Sequence, residues 1–229
     1  MNIQHNVSRV MERISEAAHR SGRNPDDITV VAVTKTVKTD EIMDAINAGI
    51  RHIGENRVQE FLEKHKDIPV YVNRHFIGRL QTNKVKYIVD KVDLIHSLDR
   101  LKLAEEIDKR AMAIDRIVPV LIQVNIAGEA TKTGVMPEEL HRFIEELTPY
   151  NNIQIKGLMT IAPFLKDSED VRPYFAGMRK LYQEIKEAKY SNVKMEYLSM
   201  GMTNDFEVAI EEGANIVRIG RAIFGERYY

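Results

Sequence analysis

Apolar positions recur along this chain with two alternating periods. Over 2–21 they fall at helical spacing: Ile3, Val7, Val10, Met11, Ile14, Ala17 and Ala18 share one face, and Gly22 stands where such a helix would end. The run Ile28-Thr-Val-Val-Ala-Val-Thr-Lys35 is then apolar on both faces, the pattern of a strand covered from two sides. From there strand-like and helix-like stretches alternate. The pattern predicts strands over 28–35, 52–56, 70–78, 94–98, 118–125, 153–162, 196–201 and 215–220. It predicts helices over 40–48, 57–64, 83–89, 100–113, 137–147, 168–188, 205–212 and 221–224. Thr39 and Asp99 are the expected N-caps of two helices, Gly49 closes the first of these, Pro137 opens a third, and Gly213 closes the helix over 205–212.

Eight β-α units behind one leading helix, joined by short connections, argue for a parallel sheet closed into a (β/α)8 TIM-like barrel with an extra N-terminal helix. The alternative, an open doubly wound sheet, would carry a glycine-rich loop after its first strand, whereas Thr34-Lys-Thr-Val-Lys38 has no glycine. With 229 residues, 44% of them hydrophobic, the chain can bury one sizeable core, so a single domain over 1–229 is expected. Its 33 basic and 34 acidic residues leave a net charge of −1, which gives no pull toward nucleic acid or an anionic membrane. With no cysteine there is no disulfide, thiolate nucleophile or Cys-based metal site. The leading helix is charged throughout, unlike a signal peptide, and no apolar run approaches the roughly 20 residues that span a bilayer. A cytoplasmic location is the expectation.

In a barrel the chemistry gathers at the C-terminal ends of the strands. The first strand ends in Lys35, an amine able to form a Schiff base if its surroundings lower its pKa; otherwise it is a snorkelling surface charge. The seventh ends in Ser199-Met-Gly-Met-Thr-Asn-Asp205 and the eighth in Arg218-Ile-Gly220, each leading into a helix. Hydroxyls, glycine-exposed N–H groups and helix starts are what a phosphate dianion needs, although Thr203, Asn204 and Asp205 would also serve as plain caps. Arg218, inside an apolar strand, needs a partner: a phosphate, a cofactor ring nitrogen, or one of Glu207, Glu211 and Glu212. Asn56 either contacts a ligand ring or caps the next helix. His75 reads as a packing group and Lys132 as a loop charge at the mouth, and no residues show metal-ligand spacing. An amine facing a phosphate site describes a reader of a phosphorylated aldehyde. Pyridoxal 5'-phosphate (PLP) is the first candidate and a phosphosugar for a Schiff-base aldolase the competitor.

The segments Val31-Ala-Val-Thr-Lys35, Gly54-Glu-Asn-Arg-Val-Gln-Glu60, His75-Phe-Ile-Gly78 with Leu80-Gln81, Ile95-His-Ser-Leu98, Gln123-Val-Asn125, Gly157-Leu-Met-Thr160, Leu198-Ser-Met-Gly-Met202 with Asp205, and Val217-Arg-Ile-Gly220 span nearly the whole chain in order. On these the sequence resembles the pyridoxal phosphate homeostasis proteins (the YggS/PROSC family), which look like the barrel domain of fold-type III enzymes such as alanine racemase. The resemblance implies that Lys35 carries PLP as a Schiff base. It implies that Ser199, Thr203, Arg218 and Gly220 surround the phosphate or ring, with Asn56 and Met200 nearby. Two positions depart from the family pattern: Arg74 stands where Trp is frequent, and Thr203 where Ser is commoner. A racemase of this type draws a second acid–base tyrosine from an additional β-domain. This chain stops at Tyr229, and Tyr228 and Tyr229 are not expected to be positioned. The resemblance therefore implies a non-catalytic PLP carrier and homeostasis factor, with no catalytic residue assigned and PLP-dependent apo-enzymes as candidate recipients. The alternative is a minimal fold-type III PLP enzyme, a racemase or decarboxylase. A monomer is expected.

Overall fold

The computed structural model describes residues 2–129 and 131–226; Tyr228 and Tyr229 lie outside the described residues. Strands β1 (Thr29–Val33), β2 (His52–Glu55), β3 (Asn73–Phe76), β4 (Leu94–Leu98), β5 (Val118–Gln123), β6 (Ile153–Met159), β7 (Val193–Ser199) and β8 (Ile216–Ile219) form a closed parallel barrel in chain order. The ring closes where β1 pairs β8, from Thr29 opposite Ile216 to Ala32 opposite Ile219. Around it run α1 (Ile3–Arg20), α2 (Thr39–Asn47), α3 (Val58–Lys64), α4 (Leu101–Met112), α5 (Leu140–Glu146), α6 (Arg172–Ala188), α7 (Phe206–Glu211) and α8 (Arg221–Phe224). This is the (β/α)8 barrel with a leading helix that the periodicity predicts. No helix among the described residues is long and apolar enough to cross a membrane.

Two apolar shells follow from strand alternation. Val31, Leu94, Leu121, Met159 and Ile216, joined by Tyr197, fill the inside of the barrel. The outward residues of the same strands pack under the helices, as Ala32, Ile53, Phe76, Ile95 and Ile122 do. The α1 helix buries Ile3, Val7, Val10, Ile14, Ala17 and Ala18 and is pinned by Arg13 to Glu207 at 2.9 Å.

Several boundaries differ from the sequence reading. The 70–78 stretch becomes a strand only at Asn73, where pairing with His52 begins; Val70 is 93% exposed in the preceding turn. The 83–89 helix is a 3-10 segment, Thr82–Tyr87. Lys38 rather than Thr39 occupies an N-cap position, and Asp99 pairs with Arg100 instead of capping α4.

Candidate functional site

The turn after β1 is held from both sides. Lys35 lies two residues beyond the strand end, half-buried, between Thr34 and Thr36. Thr34 N donates to Gly54 O, and Thr34 Oγ1, 3.2 Å from the same oxygen, donates to Glu55 Oε1 at 2.7 Å. Lys64 donates to Thr34 O and Glu55 Oε1, each at 2.8 Å. Thr36 adopts φ +58, a left-handed conformation unusual without glycine, and its N–H donates to Glu60 Oε2 at 2.6 Å. Burial pushes the Glu55 carboxyl up from its ordinary value even with Lys64 beside it. The motif Gly54 to Glu60 thus shapes the turn that presents Lys35.

Across the mouth, Arg218 is buried with a cation to satisfy. Its guanidinium donates to Ser199 Oγ and to Thr160 O, both at 2.7 Å. Burial lowers it to about 10, partly opposed by Asp205, so it is charged at neutral pH. Glu207 is taken by Arg13, Glu211 by Arg20 and Arg172, and Glu212 by Arg172, so none of the three carboxylates considered from sequence is its partner. Asp205 Oδ1 accepts from Met202 N at 2.6 Å and shapes the loop after β7. Gly201 in that loop has φ +90, and a Cβ there would fall 2.6 Å from Ala209 Cβ, so only glycine lets α7 approach.

An open cavity of about 810 Å3 brings Lys35, Asn56, Thr203, Arg218 and Gly220 together at the C-terminal ends of the strands. Asn56 carries a buried Oδ1 without a hydrogen-bond partner among the described residues, an acceptor that a ligand donor would satisfy. Ser199 and Met200 do not line this cavity; both are fully buried beneath it. Lys132 pairs with Glu129 at 2.7 Å and lines a separate small cavity with Gln123 and Asn125. Arg74 faces away from the barrel interior, donating to Ile68 O at 2.8 Å.

Sequence reasoning missed a polar line inside the barrel. His75 is not an isolated packing group: it contacts His52 at 3.0 Å and His96 at 2.8 Å, and His96 contacts Ser199 Oγ at 3.0 Å. The signal was present as one histidine on each of three successive strands, but their shared facing depends on register.

The alanine racemase N-terminal domain model matches residues 1–228. A pyridoxal phosphate homeostasis protein of Aquifex aeolicus is 51% identical over 230 residues, covering all of both chains. A protein of Bifidobacterium adolescentis of unknown function, solved as a crystal structure, is 38% identical with a TM-score of 0.91, over 97% of this chain and 94% of that one. The structure of PipY from Synechococcus elongatus with PLP bound is 33% identical with a TM-score of 0.80, over 93% of this chain and 100% of that one.

Proposed function

The chain belongs to the pyridoxal phosphate homeostasis family, within the alanine racemase N-terminal domains, and on that premise we propose that it binds PLP at the barrel mouth and holds it in reserve in the cytoplasm. The observation that carries this reading is the meeting of Lys35, Arg218 and the unpartnered Asn56 acceptor in one cavity. When bound, PLP supplies an aldehyde able to condense with a lysine amine, and a phosphate dianion. Lys35 is the amine we assign to that aldehyde. Of the residues that line the cavity, Thr203 and Gly220 would hold the phosphate, Arg218 would offer its charge to the phosphate or to the ring, and Asn56 would offer its acceptor to a donor on the ring. Met200 and Ser199 support from below. That PipY, a relative at 33% identity, holds PLP in its solved structure supports PLP as the ligand. We take the chain as one domain over 1–229, acting as a monomer, with PLP-dependent apo-enzymes as recipients.

Adding PLP to the purified protein should give a yellow species that borohydride fixes to the Lys35 peptide, and Lys35→Ala should abolish both. A wild type that stays colourless would overturn the binding. Amino-acid α-proton exchange in deuterated water tests the holding role; turnover at about 1 per second or faster would make the chain an enzyme. Transfer to an apo-enzyme faster than free dissociation would establish delivery.

A further inference from the structure

Three imidazoles cross the barrel interior in single file. His52 at the start of β2 meets His75 on β3 (Nδ1 to Nε2, 3.0 Å), and His75 meets His96 on β4 (Nδ1 to Nε2, 2.8 Å). His96 Nδ1 then meets Ser199 Oγ at 3.0 Å, and Ser199 Oγ accepts from Arg218 at 2.7 Å. His75, His96 and Ser199 are buried, and His52 is half-buried at the opposite end of the barrel from the mouth.

All three rings are neutral at neutral pH. Burial, with His52 beside it, lowers His75 to about 3; burial, with His75 and Arg218 nearby, holds His96 well below the ordinary range; burial also lowers His52. A neutral imidazole has one N–H and one lone pair. Both ring nitrogens of His75 and of His96 are engaged in the file, so each ring must donate at one side and accept at the other. Only two arrangements then satisfy every contact: all donors point toward His52, or all point toward Ser199. In the second, Ser199 Oγ would accept from both Arg218 and His96, and its own proton would need a third partner. Among the described residues the side-chain hydrogen bonds of Ser199 are those two alone, and a buried donor left unmade is costly. The first arrangement places every proton.

The geometry points to this histidine file as the positioning device for Arg218: Ser199 donates to His96 Nδ1, His96 donates from Nε2 to His75, and His75 donates from Nε2 to His52. With its proton committed inward, Ser199 turns its lone pairs to the guanidinium and, with Thr160 O, fixes it at the mouth. The file explains why the support is imidazole rather than carboxylate. An acid at this position would cancel the charge of Arg218, whereas a neutral acceptor orients the cation and leaves its charge for an anion in the cavity. His96 is thus a positioning residue that acts through Ser199.

Histidine ring 15N spectra of the protein without cofactor, near neutral pH, test the direction. His75 and His96 should both carry their proton on Nε2; a proton on Nδ1 of either would overturn the assignment. A second arm rests on the reading that the cavity holds PLP. His96→Phe removes the acceptor and should weaken PLP binding about tenfold or more, the loss expected for a hydrogen bond serving a charged group. His96→Asn places an amide oxygen near the former Nδ1 and should recover most of that loss. A folded His96→Phe protein that binds PLP like wild type, or a His96→Asn protein no better than it, would sink the positioning role. If wild type itself fails to bind PLP, the holding function fails while the ring spectra still decide the file.

Discussion

Gly78 shows how tightly single residues set the site. A Cβ at this position would lie 2.2 Å from Asn56 O and 2.7 Å from Asn56 Cα, both backbone atoms that cannot swing aside. Gly78→Ala should therefore displace Asn56, costing about 1–3 kcal/mol of stability as overpacking does, and should loosen PLP together with the fold. Urea denaturation and a PLP titration read the two effects; an unchanged denaturation midpoint would contradict the contact. Arg218→Lys is the companion case. Lysine keeps a charge but loses the planar fork that reaches Ser199 and Thr160 at once, so it should bind PLP at least about tenfold more weakly, measured by the same titration. At this scale the sequence was informative where chemistry is local to a strand end: Lys35, Asn56, Thr203, Arg218 and Gly220 do share a cavity. It was uninformative where partners are distant. That Ser199 lies beneath the cavity and meets His96, 103 positions away, depends on register and on side-chain direction, neither of which a one-dimensional pattern carries.

The turn that carries Lys35 belongs to two β-α units at once, and its energetics sit in the second. Lys64 on α3 is 13% exposed and Glu55 at the end of β2 is 2% exposed, so theirs is a buried ion pair with Glu60 as a second acid. Lys64→Met would leave Glu55 buried without its cation, which typically costs about 3–5 kcal/mol. Glu60→Gln is gentler. It removes the charge that holds Thr36 N in its left-handed turn, so it should slow colour formation with PLP more than it lowers the melting temperature. Equal rates for Glu60→Gln and wild type would show that the turn needs no such anchor. The eight units were legible because each helix and strand carries its own period. The anchor was not, because Thr36 offers no glycine to flag a left-handed turn, and the Glu60 that stabilises it sits on the next unit. Likewise the apolar Val70 and Tyr71 extended the predicted third strand into a turn, since only pairing with β2 decides where β3 starts.

For the whole molecule, the histidine file ties the function of the mouth to acid stability. His75 and His96 stay neutral in the folded barrel, His75 down to about pH 3, whereas in the unfolded chain each takes a proton near about pH 6.5. Above that value both states are neutral and these groups contribute no pH dependence. Below it the unfolded state binds more protons, so stability falls as pH falls, by about 1.4 kcal/mol per pH unit for each histidine, until the folded rings can be protonated. With two such rings, and a net stability of about 5–15 kcal/mol for an ordinary domain, a drop from about pH 6.5 to about 4.5 removes a large fraction of the total. The barrel cannot relieve this by local opening, because the file runs through its centre among Leu94, Leu121 and Met159 rather than along a loop. The two rings should accordingly contribute close to two protons of uptake on unfolding at about pH 5.5, measured by calorimetry in buffers of different ionisation enthalpy on wild type and on His96→Phe, which should lack close to one of them. The comparison of the two proteins cancels the opposing proton release from Glu55 and Asp205, whose carboxyls burial pushes up, along with any part played by the depressed Glu196 and Glu211. An uptake equal in the two proteins would mean that His96 is already charged in the folded barrel, and the neutral file with its single direction would fall with it.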